Sequence, residues 1–368
     1  MTIRIAWLSS FHEHCGIATY SESLVFELRK HAVVKVFAPR RIAGDEGRGE
    51  QPPRLWNRNR TFGFEALRVR DRILAMRPDV VHLQVNLSLY SSRFLFTLVR
   101  LLERSGVPVV ATLHGRGGGS LGRRFKVARL LFALRGADIV VHTEAHRSEL
   151  ARERVHVIAH GIDPVVSRSK KEARAILGLD PARPVLAHFG FLVPDKGIAE
   201  VIRAVAELRA RHADLLYWIC GAIYGTDESR LYYAELLRET RALGLTDAVH
   251  LTGDFVSSER ALVEIGAADF VVLNYQTGGS QGASGAARRA LTSGRAVAVS
   301  EAPVFDDLRE AVHTIRPNLV RSLGALIDDP GLALATTERA RRFCEAHSWS
   351  RTAEAHRALY ERIVRGAP

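Results

Sequence analysis

The sequence has little cysteine, little lysine and no long apolar run. Three cysteines among 368 residues are too few and too scattered for a disulfide framework or a four-ligand zinc site, so reduced thiols are expected. Arginine interrupts the longest apolar stretches, as at residues 94–102, whereas a membrane-spanning helix needs about 20 apolar residues. The opening run, residues 3–8, resembles a strand and not a secretory signal. These absences exclude a transmembrane protein and predict a cytoplasmic one.

Positive charge is concentrated in the first part of the chain. Residues 1–165 contain 26 Lys+Arg against 15 Asp+Glu, a net charge of +11, and the remaining 26 and 25 leave +1 for residues 166–368. Only six of the 52 basic residues are lysine, which codon usage explains, but codon usage does not explain the asymmetry. A one-sided positive field indicates an anionic partner such as a membrane surface, a nucleic acid or a phosphorylated substrate.

Short apolar runs rich in β-branched residues alternate with longer stretches of helical periodicity. This alternation is typical of βαβ units and a parallel sheet. The runs are residues 4–9, 33–37, 80–83, 109–113, 139–141 and 155–158 in the first half, and 185–189, 215–219, 249–251, 270–273 and 296–299 in the second. Each set can close its own doubly wound sheet. The expected fold class is therefore α/β, with two Rossmann-like domains that face each other across a cleft.

Domain boundaries are expected where the alternation stops. Gly161 and Pro164 interrupt the pattern, and the polar residues 167–171 follow them, which indicates a linker. We therefore expect an N-terminal domain over residues 1–165 and a C-terminal domain over residues 166–347. The final segment, residues 348–368, contains an amphipathic stretch without a strand of its own. It is predicted to pack back toward the N-terminal domain.

The loop after the first predicted strand is a candidate binding loop, because ligands of such sheets bind beyond the carboxyl ends of the strands. Gly16 allows a ligand to approach the backbone closely, and a helix starting near Ile17 would point free N–H groups at a polar or anionic group. His14 lies beside another histidine and a cysteine, but no second ligand cluster has matching spacing. The pattern favours a substrate-lining loop over a metal site.

His114 ends the predicted strand 109–113 and precedes a glycine-rich loop. Gly117, Gly119 and Gly122 have the spacing G-x-G-x-x-G, but loop residues separate them from the strand. No acidic residue follows at a strand end to bind a ribose, so a plain loop is favoured over a dinucleotide fingerprint. His114 can hydrogen-bond a sugar hydroxyl or stabilise developing charge, and a structural histidine is the alternative.

Two loops of the second half could bind phosphate. Lys196 is the only lysine after Lys171, and it stands beside Gly197. A compact ammonium on a flexible stem suits a diphosphate, while an exposed lysine in a turn is the alternative. Residues 275–286 form a glycine- and serine-rich segment that leads into a predicted helix, whose first amides can cradle an anion. Its alternative is a plain helix cap.

These loops, in this order, resemble the family-4 retaining glycosyltransferases. The matching segments are Gly16-Ile17-Ala18 with Tyr20, Thr112-Leu113-His114, His160-Gly161-Ile162, Phe189-Gly190 to Lys196-Gly197, Gly294-Arg295-Ala296-Val297 and Ser348-Trp349-Ser350. The resemblance covers nearly the whole chain. It implies the GT-B fold, a nucleotide-sugar donor bound mainly by the C-terminal domain, an acceptor bound mainly by the N-terminal domain, and transfer with retention of configuration.

The resemblance also implies roles for individual residues. His114 and Lys196 are expected to be catalytic. Donor binding is expected of Gly190, Lys196, Gln281, Gly282, Ser284, Gly285 and Arg289, and acceptor binding of His14, Gly16 and Ile17. The donor is a substrate, and no cofactor is implied. No metal is expected either, since the sequence contains no Asp-x-Asp that could chelate a divalent ion on a diphosphate.

The sequence departs from the family pattern at the donor site. Phe191 stands where the family usually has an arginine, and Gln281 and Arg289 stand where it has two glutamates. Gln281 can still accept a sugar hydrogen bond, but the guanidinium of Arg289 has only donors and cannot replace a carboxylate on ribose. Arg289, or alternatively Arg288, could supply the missing phosphate charge. Residues 284–286 match a Ser-Gly-Ala variant within the family, which favours an active subgroup.

The leading hypothesis is a glycosyltransferase that moves a sugar from a nucleotide diphosphate to a glycan, a glycolipid or a metabolite. A non-catalytic GT-B partner protein is the alternative, and a nucleotide-sugar epimerase is a further one. No recognisable nucleic-acid module accompanies the arginines, so nucleic acid is not an expected partner. The basic and apolar residues 121–132 predict contact with the inner membrane face, or else a solvated helix. An anionic or lipid-linked acceptor would also account for the charge.

Overall fold

A computed structural model describes residues 2–13, 15–40, 51–58, 64–86, 89–114, 121–150, 152–166, 168–277, 283–316 and 318–366. The chain divides into two compact units. The first unit is Met1–Gly161 together with His347–Pro368, and the second unit is Ile162–Ala346. No helix in these described ranges is both long and apolar enough to span a bilayer.

The described part of the first unit contains one seven-stranded parallel sheet, in the order β3-β2-β1-β4-β5-β6-β7. Its strands are β1 (Arg4–Leu8), β2 (Val33–Pro39), β3 (Arg54–Trp56), β4 (Val80–Val85), β5 (Val109–Leu113), β6 (Asp138–Val141) and β7 (Val155–Val157). Its helices are α1 (Gly16–Leu28), α2 (Glu65–Leu74), α3 (Ser92–Arg104), α4 (Leu121–Ala133), α5 (Glu144–Leu150) and, from the end of the chain, α13 (Trp349–Val364).

The described part of the second unit contains a six-stranded parallel sheet, in the order β10-β9-β8-β11-β12-β13. Its strands are β8 (Val185–Phe191), β9 (Leu216–Ala222), β10 (Val249–Gly253), β11 (Phe270–Leu273), β12 (Ala296–Val299) and β13 (His313–Thr314). Its helices are α6 (Lys170–Leu177), α7 (Ile198–Leu208), α8 (Asp227–Ala242), α9 (Ser258–Gly266), α10 (Gly285–Thr292), α11 (Leu319–Asp328) and α12 (Pro330–Ala346), with 3-10 turns at Pro194–Lys196 and Pro303–Leu308.

The sheets are buried on both faces, which explains their continuous apolar runs. Every residue of β4, β5 and β6 is buried, and β11 and β12 are equally buried in the second unit. Helices cover such sheets with one apolar face. On α3, for example, the residues that are buried against the sheet recur three or four positions apart: Phe94, Leu95, Leu98, Val99 and Leu102.

The strand order places a topological switch point in each sheet. In the first unit the order reverses between β1 and β4, and in the second unit it reverses between β8 and β11. Ligands of doubly wound sheets bind beyond the carboxyl ends of the strands at this point. The predicted loops after β1, β8 and β11 therefore begin at the switch points of their own sheets.

The predicted α/β class with two Rossmann-like parallel sheets is confirmed. All eleven predicted strands are present, and the apolar runs missed only β3 and β13 among the described strands. These two have three and two residues and lie at sheet edges. Their residues, Arg-Leu-Trp in β3 and His-Thr in β13, contain no run of β-branched apolar residues.

The end of the chain packs on the first unit. α13 lies against α1, and the Tyr360 hydroxyl is 2.6 Å from Nδ1 of His82 on β4. Thr352 donates a hydrogen bond to the carbonyl oxygen of Ala159 (3.2 Å). Packing of the start of α13 also requires a glycine at position 161, since a Cβ at Gly161 would lie 2.2 Å from Cε3 of Trp349. Residues 193 and 278 positions apart in the chain thus pack together.

Candidate functional site

Lys196 ends the 3-10 turn that follows β8. Its side chain is only 11% exposed, and Nζ lies 3.8 Å from the centroid of the Tyr275 ring and 3.4 Å from Oδ2 of Asp195. Burial lowers the pKa of the Lys196 ammonium, and the Asp195 carboxylate works against that shift. A cation over an aromatic face, at the carboxyl end of neighbouring strands, is well placed to meet an anionic ligand.

The backbone conformation and packing at Gly197, next to Lys196, require a glycine. Its φ is +62°, and a Cβ there would lie 2.0 Å from the backbone oxygen of Asn274. Only glycine fits this combination of left-handed backbone and close approach. The glycine therefore lets the turn after β8 pack against the segment after β11, and this packing brings Lys196 to Tyr275.

The start of α10 lies next to the same tyrosine. Ser284 is the N-cap residue, and its Oγ accepts a hydrogen bond from the amide of Ala287 (3.1 Å). Burial raises the pKa of Tyr275, and a hydrogen bond with the Ser284 side chain works against that rise. A Cβ at Gly285 would meet no described atom within 4 Å. The amides of Gly285 and Ala286 in this first turn can therefore donate hydrogen bonds to an anion beside Lys196.

Gly190 and His188, both on β8, lie at the same helix start. Gly190 has φ +146°, and a Cβ there would lie 3.7 Å from both Cβ of Ala286 and Nε2 of His188. His188 is 1% exposed, and burial, the largest cause, lowers its pKa to about 3. Nδ1 faces the carbonyl oxygen of Val272 at 3.3 Å, whereas Nε2 has no hydrogen-bond partner among the described residues. His188 is therefore neutral, with Nδ1 protonated and Nε2 an acceptor.

The two arginines predicted as alternative phosphate ligands both pair with carboxylates. Arg288 is buried, forms an ion pair with Asp307 and donates to the backbone oxygen of Ser284 (3.4 Å). Nη1 of Arg289 lies 3.4 Å from Oδ2 of Asp163. The structure thus gives each guanidinium a protein counter-ion. The predicted donor residues Gln281 and Gly282 lie outside the described residues.

The predicted acceptor loop contains the start of α1. This helix begins at Gly16, one residue before the predicted start, and Sγ of the N-cap residue Cys15 accepts a hydrogen bond from the amide of Ala18 (3.4 Å). A Cβ at Gly16 would meet no described atom within 4 Å, so packing does not explain this glycine. Ile17 is half-buried and packs against the core of the first unit. His14 lies outside the described residues.

Four of the segments that carry the family resemblance meet at Tyr20. Its buried ring lies 4.7 Å from His114, 4.9 Å from His160 and 5.2 Å from Trp349, measured between ring centroids. His142, at the end of β6, lies 5.3 Å away. The residues of the first unit that carry the family resemblance therefore form one cluster of aromatic and imidazole rings at the carboxyl end of the sheet.

His114 belongs to this cluster as a neutral imidazole. Its Nε2 donates a hydrogen bond to Oε1 of Gln84 (2.5 Å). Burial, and to a smaller extent His356, lower the pKa of His114 to about 3. Of the two predicted roles, a hydrogen bond to a sugar hydroxyl suits this neutral state, whereas stabilisation of charge by an imidazolium does not.

A buried ion cluster follows β1, and the sequence analysis did not identify it. The Glu13 side chain is 4% exposed and forms ion pairs with Arg54 (2.6 Å) and Arg58. Arg54 also donates to the backbone oxygen of Phe11 (3.2 Å). Within the described ranges no three His, Cys, Asp or Glu side chains are arranged to hold a metal ion.

His188 was not predicted as a site residue, and Tyr275 was included only as the first residue of the predicted phosphate-binding segment 275–286. Tyr275 directly follows the apolar run of β11, and its position before a glycine-rich segment was a usable signal. His188 stands inside a strand run, where nothing in the local sequence separates it from the core. The packing of β8 beside β11 brings both side chains to Gly190, and Tyr275 also contacts Lys196.

Comparisons with known proteins agree with this architecture. The model for Glycosyltransferase Family 4 matches residues 15–166, and the model for Glycosyl transferases group 1 matches residues 169–310. No curated protein sequence matches the chain significantly.

Solved structures share the fold over nearly the whole chain. Sucrose-phosphate synthase from Thermosynechococcus elongatus has 16% identity and a TM-score of 0.74, with 99% of this chain and 100% of that chain covered. The Anabaena HepE protein, in complex with UDP and glucose, has 16% identity, a TM-score of 0.73 and 98% and 99% coverage. A glycosyltransferase from Rickettsia africae has 12% identity, a TM-score of 0.73 and 100% coverage of both chains. With one glycosyltransferase family matched in each unit, the chain belongs to the glycosyltransferases of the GT-B fold.

Proposed function

We propose that this chain transfers a sugar from a nucleotide-diphosphate donor to an acceptor, with retention of anomeric configuration and without a metal ion. The observation that carries the proposal is the buried Lys196 ammonium over Tyr275, beside the start of α10. A uridine nucleotide is the first donor to test, because the Anabaena HepE structure contains UDP.

In this proposal the second unit stabilises the leaving group. When the glycosyl–phosphate bond opens, negative charge grows on the diphosphate, and Lys196 together with the amides near Ser284 and Gly285 would stabilise it. Desolvation makes this stabilisation stronger than it would be in water, since Lys196 and Ser284 are both buried. Gly190 would let the donor approach β8 closely.

The first unit would bind the acceptor. The start of α1 at Gly16 and Ile17 would offer amides, and neutral His114 would offer its ring nitrogen to a hydroxyl group. These groups recognise polar, hydroxyl-bearing molecules in general. The proposal therefore names a hydroxyl acceptor, with a glycan, a glycolipid and a metabolite as candidates.

Replacing the ammonium tests the donor site. Lys196→Ala is expected to weaken UDP binding by about 1.5–3 kcal/mol, which is roughly tenfold to 150-fold in Kd, because a charge-assisted phosphate contact is lost. Isothermal titration with UDP measures this. Lys171→Ala is the matched control, since Lys171 is exposed in the same unit. Equal UDP affinity in both variants would contradict the assignment of Lys196.

Two further measurements test the chemistry. With an active donor and acceptor pair, proton NMR of the product should show the anomeric configuration of the donor, and an inverted product would contradict retention. Turnover should persist after treatment with EDTA. Loss of activity that added magnesium or manganese restores would contradict metal independence.

The proposal includes contact of the first unit with an anionic inner-membrane surface. On α4 the side chains of Phe125 and Phe132 are 67% and 62% exposed, and the exposed Lys126 and Arg129 lie on the same helix. The Arg135 guanidinium lies 4.6 Å from the centroid of the Phe132 ring. Exposed aromatic rings among basic side chains suit an interface with anionic lipid.

Vesicle sedimentation tests this contact. We expect binding to vesicles that contain phosphatidylglycerol, with a large reduction in 0.5 M salt because the Debye length falls to a few ångströms (~4 Å). Phe125→Ser with Phe132→Ser should abolish sedimentation, whereas Phe26→Ser should not, although Phe26 on α1 is equally exposed at 67%. Sedimentation that is unaffected by the double substitution would contradict the α4 surface.

A further inference from the structure

A second basic feature lies in the second unit, and none of the residues that line it is assigned to the donor. A cavity of about 1120 Å³ opens between β13, α11 and α12, with Glu301 after β12 on its wall. Arg316, Arg321 and Arg339 line it, together with His313. Residues 166–368 have a net charge of only +1, so three arginines around one cavity are a local concentration that the total does not reveal.

These three arginines differ from their neighbours in having no acidic partner. None of Arg316, Arg321 and Arg339 has a carboxylate oxygen within 4 Å in the described ranges. On the same helix α12, by contrast, Arg341 pairs with Glu338 at 2.8 Å and Arg342 lies 4.0 Å from Glu338. The positive charge of Arg339 on the cavity side of α12 is therefore not neutralised by a neighbouring carboxylate in the described ranges, whereas Arg341 and Arg342 lie close to Glu338.

The cavity wall is held in place by hydrogen bonds. Arg339 donates to the backbone oxygen of Val312 (3.4 Å) and to Oγ1 of buried Thr336 (3.2 Å). The amide of Arg316 donates to Oγ of Ser322 (3.2 Å) in the first turn of α11. These contacts leave much of the donor capacity of both guanidinium groups for a ligand, because each guanidinium has five N–H groups.

The start of α11 adds further donors to the same wall. Asn318 is the N-cap residue, and its Oδ1 accepts a hydrogen bond from the amide of Arg321 (2.9 Å). The first turn contains no acidic residue. Burial is the largest cause that lowers the pKa of His313, and the nearby guanidinium groups of Arg339 and Arg316 lower it further. The facing charges are thus three guanidinium groups against one carboxylate.

We propose that this cavity binds a phosphorylated small molecule and is an anion site separate from the donor site. The guanidinium groups and the amides of α11 would bind the phosphate, since planar guanidinium forks match phosphate oxygens. Val312, Ala325 and Leu332 line the same cavity and provide apolar surface for the body of the ligand. A concave site of this volume suits a small molecule and not an extended polyanion. A sugar phosphate and a nucleoside monophosphate share the required chemistry.

Titration of the full-length Lys196→Ala protein tests the proposal, because this background weakens phosphate binding at the donor site. Inorganic pyrophosphate, a hexose phosphate and a nucleoside monophosphate are titrated separately by calorimetry in low salt. We expect saturable binding of at least one probe. A tenfold or larger increase in its Kd is expected in Arg316→Gln/Arg339→Gln, with an unchanged Kd in the control Arg342→Gln.

The comparison of probes and variants decides the outcome. Tighter binding of the hexose phosphate or of the nucleoside monophosphate identifies which source of phosphate the cavity prefers. Arg316→Gln alone guards against misfolding, because that side chain is exposed, and it should still raise the Kd severalfold. Absence of saturable binding for all probes, or equal weakening by Arg342→Gln, would overturn the proposal. The result is independent of the donor assignment, which UDP binding tests separately.

Discussion

At the scale of single residues, several buried polar atoms have no hydrogen-bond partner among the described residues. His188 is the sharpest case among the described residues, because its Nε2 is buried, unpartnered and within 3.7 Å of the position of a Cβ at Gly190. A buried polar atom without a hydrogen bond costs about 1–3 kcal/mol in the free protein. A ligand hydroxyl that donates to Nε2 would recover that cost, whereas an ionised phosphate oxygen could not donate. His188 is therefore expected to contact a sugar or ribose hydroxyl.

Replacement of His188 by phenylalanine separates a binding role from a structural one. We expect UDP or UDP-sugar affinity to fall about twofold to tenfold, the net value of one hydrogen bond. The melting temperature of the free protein should change by no more than about 3 °C, because the loss of the long hydrogen bond from Nδ1 to Val272 (3.3 Å) is offset by removal of the unpartnered Nε2, and an aromatic ring is kept. A large loss of stability with unchanged affinity would show that His188 serves the fold alone.

At the scale of elements, the end of the chain completes the first unit. α13 packs on α1, and Trp349 at its start occupies the space beside Gly161 and the Tyr20 ring. The amphipathic pattern of residues 351–364 predicted the helix, which in the structure begins at Trp349 after the N-cap residue Ser348. The segment around Ser348 thus matters to the fold because it places an indole ring against the histidine cluster.

A methyl group at Gly161 should disturb this junction. Gly161→Ala is expected to lower the free energy of unfolding by about 1–3 kcal/mol through overpacking against Trp349. Urea denaturation measures the change. In a Trp349→Leu background the same substitution should cost much less, because the smaller side chain leaves room. Gly16→Ala is the control, since a Cβ there meets no described atom and stability should change little.

At the scale of the whole molecule, buried histidines couple the fold to pH. Burial lowers the pKa of His114 to about 3 and that of His356 to about 4, and it lowers the pKa of His82 strongly as well. Their hydrogen bonds, such as His82 to Tyr360 and Thr112, are made by neutral rings. The unfolded chain binds protons at these histidines near pH 6.5, whereas the folded chain does not. Acidification therefore favours unfolding.

The pH dependence of stability should follow this difference. Stability contributed by neutral burial is complete above pH 6.5 and is lost as the pH falls toward the folded pKa values. A histidine with a folded pKa near 4 contributes about 2 kcal/mol of loss between pH 7.5 and 5. Urea denaturation at these two pH values measures it, and His356→Leu should reduce the difference by a comparable amount. An unchanged difference in that variant would contradict the assignment.

The distribution of charge over the chain is also a property of the whole molecule. The excess of +11 in residues 1–165 could be counted in the sequence, but its local balance could not. Glu13 neutralises part of it beside Arg54 and Arg58, while exposed basic side chains remain on α4. In the second unit, a net charge near zero conceals the arginine-lined cavity at β13. Totals therefore describe long-range attraction, and packing decides where an anion can bind.

Local sequence was sufficient for the architecture and for the positions of the loops. Alternating apolar runs specify strands and helices because period and burial are properties of neighbouring residues, and eleven strands were predicted in this way. The meeting of Lys196 with Tyr275 and the ring cluster around Tyr20 depend on tertiary structure. These contacts join residues that are far apart in the chain. They exist because strand order brings β8 beside β11 and because α13 packs on α1. No local pattern specifies which side chains meet there.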